Sequence, residues 1–142
     1  MKKLSFIFVV SVIAIFMMTE SFAKGPALPL SKSVQQSAEI NLMVGLESEN
    51  FGLKTSSAFL LGEIHSSKAV IPLMKILRSD ENEEARITAA LALYKIGDAR
   101  GIYAVKQAIR FDESERVRKL CSKFYIAFII KEIAESLLAA SL

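Results

Sequence analysis

The chain contains very few of the residues that build metal centres, disulfide frameworks and irregular loops. Its 142 residues include one cysteine, one histidine, three prolines and six glycines, and no tryptophan. A single cysteine excludes an internal disulfide, and with a single histidine it also excludes a zinc-type Cys/His cluster. Hydrophobic residues make up 52% and charged residues 23%, which excludes a disordered or low-complexity chain. The length suits one domain or a short array of repeats.

The first 23 residues have the organisation of a secretory signal peptide. Lys2 and Lys3 precede an apolar stretch of 15 residues, Leu4 to Met18, and the small residues Ser21 and Ala23 then match a cleavage site. The apolar stretch is shorter than the roughly 20 residues that span a bilayer, which favours cleavage after Ala23 over a retained anchor. We therefore predict a bacterial protein that is exported, periplasmic or secreted, with no stable membrane span after cleavage.

Cleavage at this point leaves a mildly basic chain. Residues 1–23 contain two lysines and one glutamate, so their removal lowers the net charge from +3 to +2. A net charge this small does not indicate a nucleic-acid partner, and we predict none.

Helical patterns recur along the rest of the chain at a spacing of 32 residues. Residues 53–64, 85–96 and 117–128 align with one another, and Asp80 aligns with Asp112. Such a period, with two helices in each unit, predicts an all-α superhelix, a solenoid of antiparallel helix pairs. The predicted organisation is a signal peptide at 1–23, a flexible segment at 24–36 and a repeat domain at 37–142, with a half repeat at 37–50, full repeats at 51–82 and 83–114, and a C-terminal capping helix at 115–139.

Local signals place the helices within each repeat. Ser66 is expected to cap the second helix of the first full repeat. Gly97 and Asp98 suit the turn of the next repeat, since glycine favours a left-handed C-cap and aspartate an N-cap. The 3/4 spacing of apolar and small residues predicts the buried stripe of the first helix. That stripe is predicted at Leu53, Ser57, Leu60, Leu61 and Ile64.

Two strings carry a resemblance to a known family, LKTSSAFLLGEIHSSKAVIPLMKIL and ARITAALALYKIGDARGIYAVKQAI. They resemble HEAT repeats, most of all the short HEAT-like repeats first described in phycobilisome lyase subunits. The shared features are a basic residue at 54, 86 and 118, small residues at 58 and 90, and the Gly-Asp turn at 97–98. The resemblance covers roughly residues 50–128 and implies an α-solenoid used mainly for protein–protein interaction. It does not imply lyase activity, because a fold does not determine a function.

The sequence offers no catalytic constellation. Deoxyhypusine hydroxylase resembles this architecture but holds two irons with several His-Glu pairs, whereas His65 follows Ile64 and is the only histidine. Cys121 aligns with Ser57 and Ala89, which predicts a small buried residue rather than a nucleophile. The glycines do not cluster into a phosphate-binding loop. We therefore predict no catalytic, metal-binding or cofactor-binding residue.

The second helices of both full repeats contain cations and no acidic residue. Arg78 and Arg110 lie at helix C-terminal ends, where they complement the helix dipole, but Lys68 and Arg100 lie at the opposite ends. The family resemblance implies that second helices line the concave face of the solenoid. The predicted partner-binding surface comprises Lys68, Ile71, Lys75, Arg78, Arg100, Tyr103, Lys106 and Arg110.

These observations predict a non-catalytic, exported scaffold or adaptor that binds another protein with an acidic surface. One alternative is an accessory subunit, lyase-like or chaperone-like, that holds a substrate protein. The other is a binder of an anionic polymer or a membrane surface through the basic concave helices. The capping helix has too many apolar residues for one narrow stripe. The extra surface is expected to be covered by residues 25–40, by a second copy in a homodimer or by a partner.

Overall fold

A computed structural model describes residues 32–140, where the helices follow the period seen in the sequence. A short 3-10 turn, Ser67–Ala69, leads directly into the third helix, and no strand occurs between residues 32 and 140. The predicted signal peptide lies outside the described residues. The six helices of this part are α1 (Lys32–Leu46), α2 (Phe51–Glu63), α3 (Val70–Ser79), α4 (Glu83–Ile96), α5 (Ala99–Phe111) and α6 (Glu115–Ala140).

The helices form two layers, as expected for an α-solenoid. The first helices of the repeats pack side by side, α2 against α4 and α4 against α6, and the second helices α3 and α5 pack against each other. Helix α4 also contacts α3 and α5, so it forms the centre of the fold. Helix α1 includes residues ahead of the predicted start of the half repeat at residue 37. None of the helices between residues 32 and 140 combines the length and apolar character needed to cross a bilayer.

Several helix ends have the local chemistry that the sequence predicts. Asp98 accepts a hydrogen bond from the N–H of Arg100 at 2.9 Å, and Gly97 has a left-handed φ of 75°. The Gly97-Asp98 turn is therefore confirmed. Asn82 caps α4 in the same way by accepting from the N–H of Glu84 at 2.9 Å.

Ser66 does not cap in the way its position predicts. It precedes the 3-10 turn, but its hydroxyl makes no bond to a backbone N–H of that turn. The hydroxyl instead donates to Oε1 of Glu39 at 2.5 Å. Ser66 therefore links α1 to the turn that leads into α3. This contact requires the folded arrangement of the helices.

The buried stripe of α2 is narrower than predicted. Ser57 and Leu61 are buried as expected, but Leu53, Leu60 and Ile64 are between 45% and 52% exposed. The prediction is wrong at those three positions. Helix α2 is apolar on more than one side, so the spacing alone does not select the side that faces the core.

The repeat itself explains which side of α2 stays exposed. Leu53 and Leu60 align with Ala85 and Ala92 of α4, and both alanines are buried. In α4 this side packs against α2, whereas residues 32–140 contain no first helix that precedes α2. Within the described residues, the exposed leucines therefore lie on the side of α2 that has no neighbouring first helix.

Small residues set the distance between α2 and α4. A Cβ atom on Gly62 would lie 2.8 Å from the Cα of Ala92, too close for any side chain at that position. The predicted small residues Ala58 and Ala90 are both buried. Close backbone approach at these points allows the first helices to stack at a short spacing.

Candidate partner-binding surface

Ion pairs join the first helix of each full repeat, α2 and α4, to the loop at the end of that repeat. Arg86 of α4 binds Asp112 through two contacts of 3.0 Å, Nε to Oδ2 and Nη2 to Oδ1, and the two side chains are 5% and 6% exposed. One repeat earlier, Nζ of Lys54 lies 2.7 Å from Oδ2 of Asp80. The basic and acidic residues that recur in the sequence are thus bonded to each other.

Arg86 and Arg118 also bind the loop that precedes their own helix. Arg86 donates from Nη1 to the carbonyl oxygens of Asp80 and Glu81, at 2.9 and 3.3 Å. In the same way, Nη1 of Arg118 donates to the carbonyl oxygens of Asp112 and Glu113, at 2.8 and 3.0 Å. Each inter-repeat loop is therefore fixed by cations of the first helices, which satisfies its carbonyl groups.

The ion pairs Lys54–Asp80 and Arg86–Asp112 stabilise the charged forms of their side chains. The hydrogen bond to Asp112 outweighs burial and raises the pKa of the Arg86 guanidinium above its ordinary value. Burial by itself would raise the pKa of Asp80, but hydrogen bonds from Lys54 and from the N–H of Asn82 hold that pKa below its usual value. Both acidic residues are thus engaged within the protein.

Two equivalent grooves lie along the second helices. The first has a volume of about 540 Å³ and is lined by the end of α1, by Lys54 of α2 and by α3. The second has a volume of about 400 Å³ and is formed by α3 and α5. Seven of the nine residues that line each groove correspond under the 32-residue shift. The corresponding pairs are Leu46 and Arg78, Ile71 and Tyr103, Pro72 and Ala104, Lys75 and Gln107, Ile76 and Ala108, Ser79 and Phe111, and Asp80 and Asp112.

A large exposed side chain stands at the same place in each groove. Ile71 is 57% exposed in the first groove, and Tyr103 is 61% exposed in the second. Phe111 adds a further exposed aromatic ring to the second groove. Rings and aliphatic side chains beside a concave surface are the composition expected of a protein contact.

The repeat architecture agrees with a comparison against known families. A family model described as HEAT repeats matches residues 41–122, which is more than half of the chain. The chain belongs to the HEAT repeat family. No curated protein matches it. HEAT repeats commonly mediate protein–protein interaction and are typically not enzymes, while the closer resemblance to phycobilisome lyase repeats stays a prediction.

Four of the predicted surface residues of this HEAT-repeat protein line the two grooves. Ile71 and Lys75 lie in the first groove, and Arg78 and Tyr103 lie in the second. They come from α3 and α5, and the packing of these two helices brings them onto one surface.

Lys68 and Arg100, the cations at the helix starts, have partners within the chain. Nζ of Lys68 lies 2.7 Å from Oε2 of Glu39 in α1. Arg100 contacts both carboxylate oxygens of Asp98 at 3.0 Å. These contacts lower the pKa of Glu39 and of Asp98, and they give each cation at a helix start an acidic partner.

The remaining cations are more open to a partner. Lys106 lies above the ring of Tyr125, with Nζ at 5.6 Å from its centroid, and Arg110 is exposed on the last turn of α5. Within residues 32–140, neither these two nor Lys75 and Arg78 take part in an ion pair. Four cations therefore remain available along α3 and α5.

The residues with the most reactive side chains lie apart from these grooves. Cys121 is fully buried in α6, as predicted, and burial raises the pKa of its thiol to about 12, so it carries almost no thiolate near neutral pH. His65 is exposed at the turn after α2 with a φ of 51°. The described residues contain no group of three His, Cys, Asp or Glu side chains placed to hold a metal ion.

Proposed function

We propose that this HEAT-repeat protein is a non-catalytic scaffold that binds an acidic segment of another protein across its second helices. The observation that carries the proposal is the pair of equivalent grooves with Ile71 and Tyr103 at corresponding positions. A partner segment that inserts one apolar side chain beside each of them would use both grooves, which lie one repeat apart. Buried apolar and aromatic anchors supply most of the binding energy in such contacts.

The charge around the grooves supports an acidic partner. Helices α3 and α5 contain no acidic residue, and Asp80 and Asp112 are neutralised by Lys54 and Arg86. The open cations of these helices therefore add positive charge along α3 and α5, and only the first groove has an acidic side chain without an ion pair, Glu47, in the described part of the chain. Complementary charge of this kind mainly accelerates association and makes it sensitive to salt.

Crosslinking from Tyr103 tests the proposal. We expect a photoreactive benzoylphenylalanine at position 103 to capture a protein in the cell envelope, because the ring would stand at the contact. The same amino acid at Leu53 is a matched control, since Leu53 is also about half exposed but lies on α2. Mass spectrometry identifies the captured species. Equal capture of the same protein from both positions would contradict the proposal, and capture of only lipid or polysaccharide from position 103 would favour the anionic-surface alternative.

The affinity of the captured partner gives the size of the effect. We expect Tyr103→Ala to weaken binding about tenfold to a hundredfold, the usual effect of removing an aromatic anchor. Leu53→Ala should leave the affinity unchanged. Calorimetry with the purified partner measures both, and circular dichroism checks that both variants stay folded.

We also propose that the protein is exported, on the basis of the signal-like segment 1–23. Sequencing of the N-terminus of the mature protein should begin at Lys24, directly after the small residue Ala23. An intact Met1 in a membrane fraction would contradict cleavage and support a retained anchor.

A further inference from the structure

A third groove continues the row of grooves on the side of α1. It has a volume of about 230 Å³ and is lined mainly by α1, with Lys68 and Pro72 on its other side. Glu47 and Pro72 line both this groove and the first one, so the two grooves adjoin. The first and second grooves both border α3. The three grooves therefore form one row that runs from α1 across α3 to α5.

The third groove is acidic on balance. Its two acidic side chains, Glu39 and Glu47, outnumber its one cation, Lys68. Glu39 already has partners, since Nζ of Lys68 lies 2.7 Å from its Oε2 and Ser66 donates a hydrogen bond to its Oε1. Glu47 is exposed and makes no ion pair within residues 32–140. One carboxylate is therefore open to a partner at this end of the row.

The opposite end of the row is basic. In the second groove Asp112 is paired with Arg86, so Arg78 is the lining charge that has no ion pair in the described part of the chain. Lys106 and Arg110 extend the positive charge along α5. The open charge at this end therefore has the opposite sign to the open charge beside α1.

The first groove lies between these ends and contains open charges of both signs. Glu47 and Lys75 line it, and its other two charged side chains, Lys54 and Asp80, are paired with each other. Open charge along the row thus changes from negative beside α1 to positive between α3 and α5. A uniformly anionic polymer would be repelled at the α1 end. The row is complementary to a ligand whose own charge changes sign along its length.

We propose that the bound partner segment is charge-polarised, with a basic residue beside Glu47 and an acidic residue beside Arg78. This inference rests on the proposed function and refines it, because it confines the acidic part of the segment to the second groove. Apolar residues between the two charges would contact Ile71 and Tyr103, which are exposed in the first and second grooves.

The spacing of the helices sets the spacing of the two charges. Glu47 follows Leu46, which corresponds to Arg78 under the 32-residue shift, so Glu47 and Arg78 lie at nearly the same level along their helices. Packed helices lie about 8–10 Å apart, and the second groove is about one and a half such steps from α1. An extended chain rises about 3.3 Å per residue. The basic and acidic residues of the segment should therefore lie about four positions apart.

Peptides selected from a random library displayed on phage test the proposal with the purified protein. The selection keeps only peptides that bind the unchanged protein and lose affinity for the Tyr103→Ala variant, so each peptide uses the proposed surface. We expect these peptides to contain a basic and an acidic residue about four positions apart, with an apolar residue between them.

Charge reversal tests which end of the segment lies beside α1. We expect Glu47→Lys to weaken binding of the selected peptides about tenfold, because two like charges would then face each other. Replacing the basic residue of the peptide with glutamate should restore its affinity for this variant. Glu49→Lys is the matched control, since Glu49 is also exposed but lines none of the three grooves. It should bind the peptides like the unchanged protein. Fluorescence anisotropy measures the affinities.

The possible failures of this inference and of the proposed function differ. Selected peptides that are uniformly acidic overturn the polarised arrangement and leave the proposed function in place. Peptides that bind Glu47→Lys as tightly as Glu49→Lys have the same consequence. A selection that yields no peptide dependent on Tyr103 contradicts the proposed function, and the inference that rests on it is then overturned as well.

Discussion

Replacing Asp112 with alanine should lower the free energy of unfolding by about 3–5 kcal/mol, the cost of breaking a buried ion pair by removing one partner. Asp112 accepts two hydrogen bonds from Arg86, and both side chains are almost fully removed from water. Its loss leaves the buried guanidinium with only the exposed Glu113, whose Oε1 lies 3.4 Å from Nη2, as a carboxylate partner. Because small domains have only about 5–15 kcal/mol of stability, this single change should bring the fold close to unfolding.

Asp80 is the matched control for this experiment. It occupies the same repeat position, and its Oδ1 accepts a turn bond from the N–H of Asn82, as Oδ1 of Asp112 accepts one from the N–H of Ser114. Its partner Lys54 keeps a side chain that is 24% exposed and can be solvated. We therefore expect Asp80→Ala to cost only about 1 kcal/mol, the usual net worth of a hydrogen bond.

Urea unfolding at constant m-value measures both changes. Arg86→Met combined with Asp112→Ala should recover much of the loss, because Arg86→Met removes the buried positive charge. Equal costs for Asp80→Ala and Asp112→Ala would show that the turn bond, and not the buried guanidinium, governs the stability of the loop.

The repeat period carries most of the information about the fold. Sequence positions separated by 32 residues take equivalent places in the structure, and the Gly97-Asp98 turn forms as its residue types predict. These features depend on local chemistry and on spacing, both of which are visible in one sequence. The side of α2 that faces the core is not visible in the sequence, because it depends on which neighbouring helix is present.

The ion pairs Lys54–Asp80 and Arg86–Asp112 also depend on contacts that a single sequence does not show. The recurrence of a basic residue at 54, 86 and 118 and of aspartate at 80 and 112 is visible in the sequence. The pairing joins residues 26 positions apart, which requires the loop to return beside its own first helix. The recurrence of a basic residue at one repeat position and of aspartate at another was the available signal, because buried charges in proteins are usually paired.

The predicted basic surface depends on both kinds of information. Asp98 is adjacent to Arg100 in sequence, so that ion pair follows from local reasoning. The pair between Lys68 and Glu39 does not, because it requires the position of α1. The grooves themselves arise only when successive second helices are placed side by side, and no single helix sequence contains them.

Replacing Leu61 or Leu93 with alanine should lower the free energy of unfolding by about 2–5 kcal/mol, the range for large-to-small changes in a packed core. Both side chains are fully buried at equivalent positions of α2 and α4. A short array has few neighbouring repeats that could compensate for a cavity at this layer.

The neighbouring Leu60 is the matched control, since it has the same side chain on the same helix and is 45% exposed. Leu60→Ala should cost less than about 1 kcal/mol, in line with a change at the surface. Thermal and urea unfolding of the three variants measure the differences. If Leu60→Ala destabilises the protein as much as Leu61→Ala, then the exposed side of α2 is covered by something that packs as closely as the core.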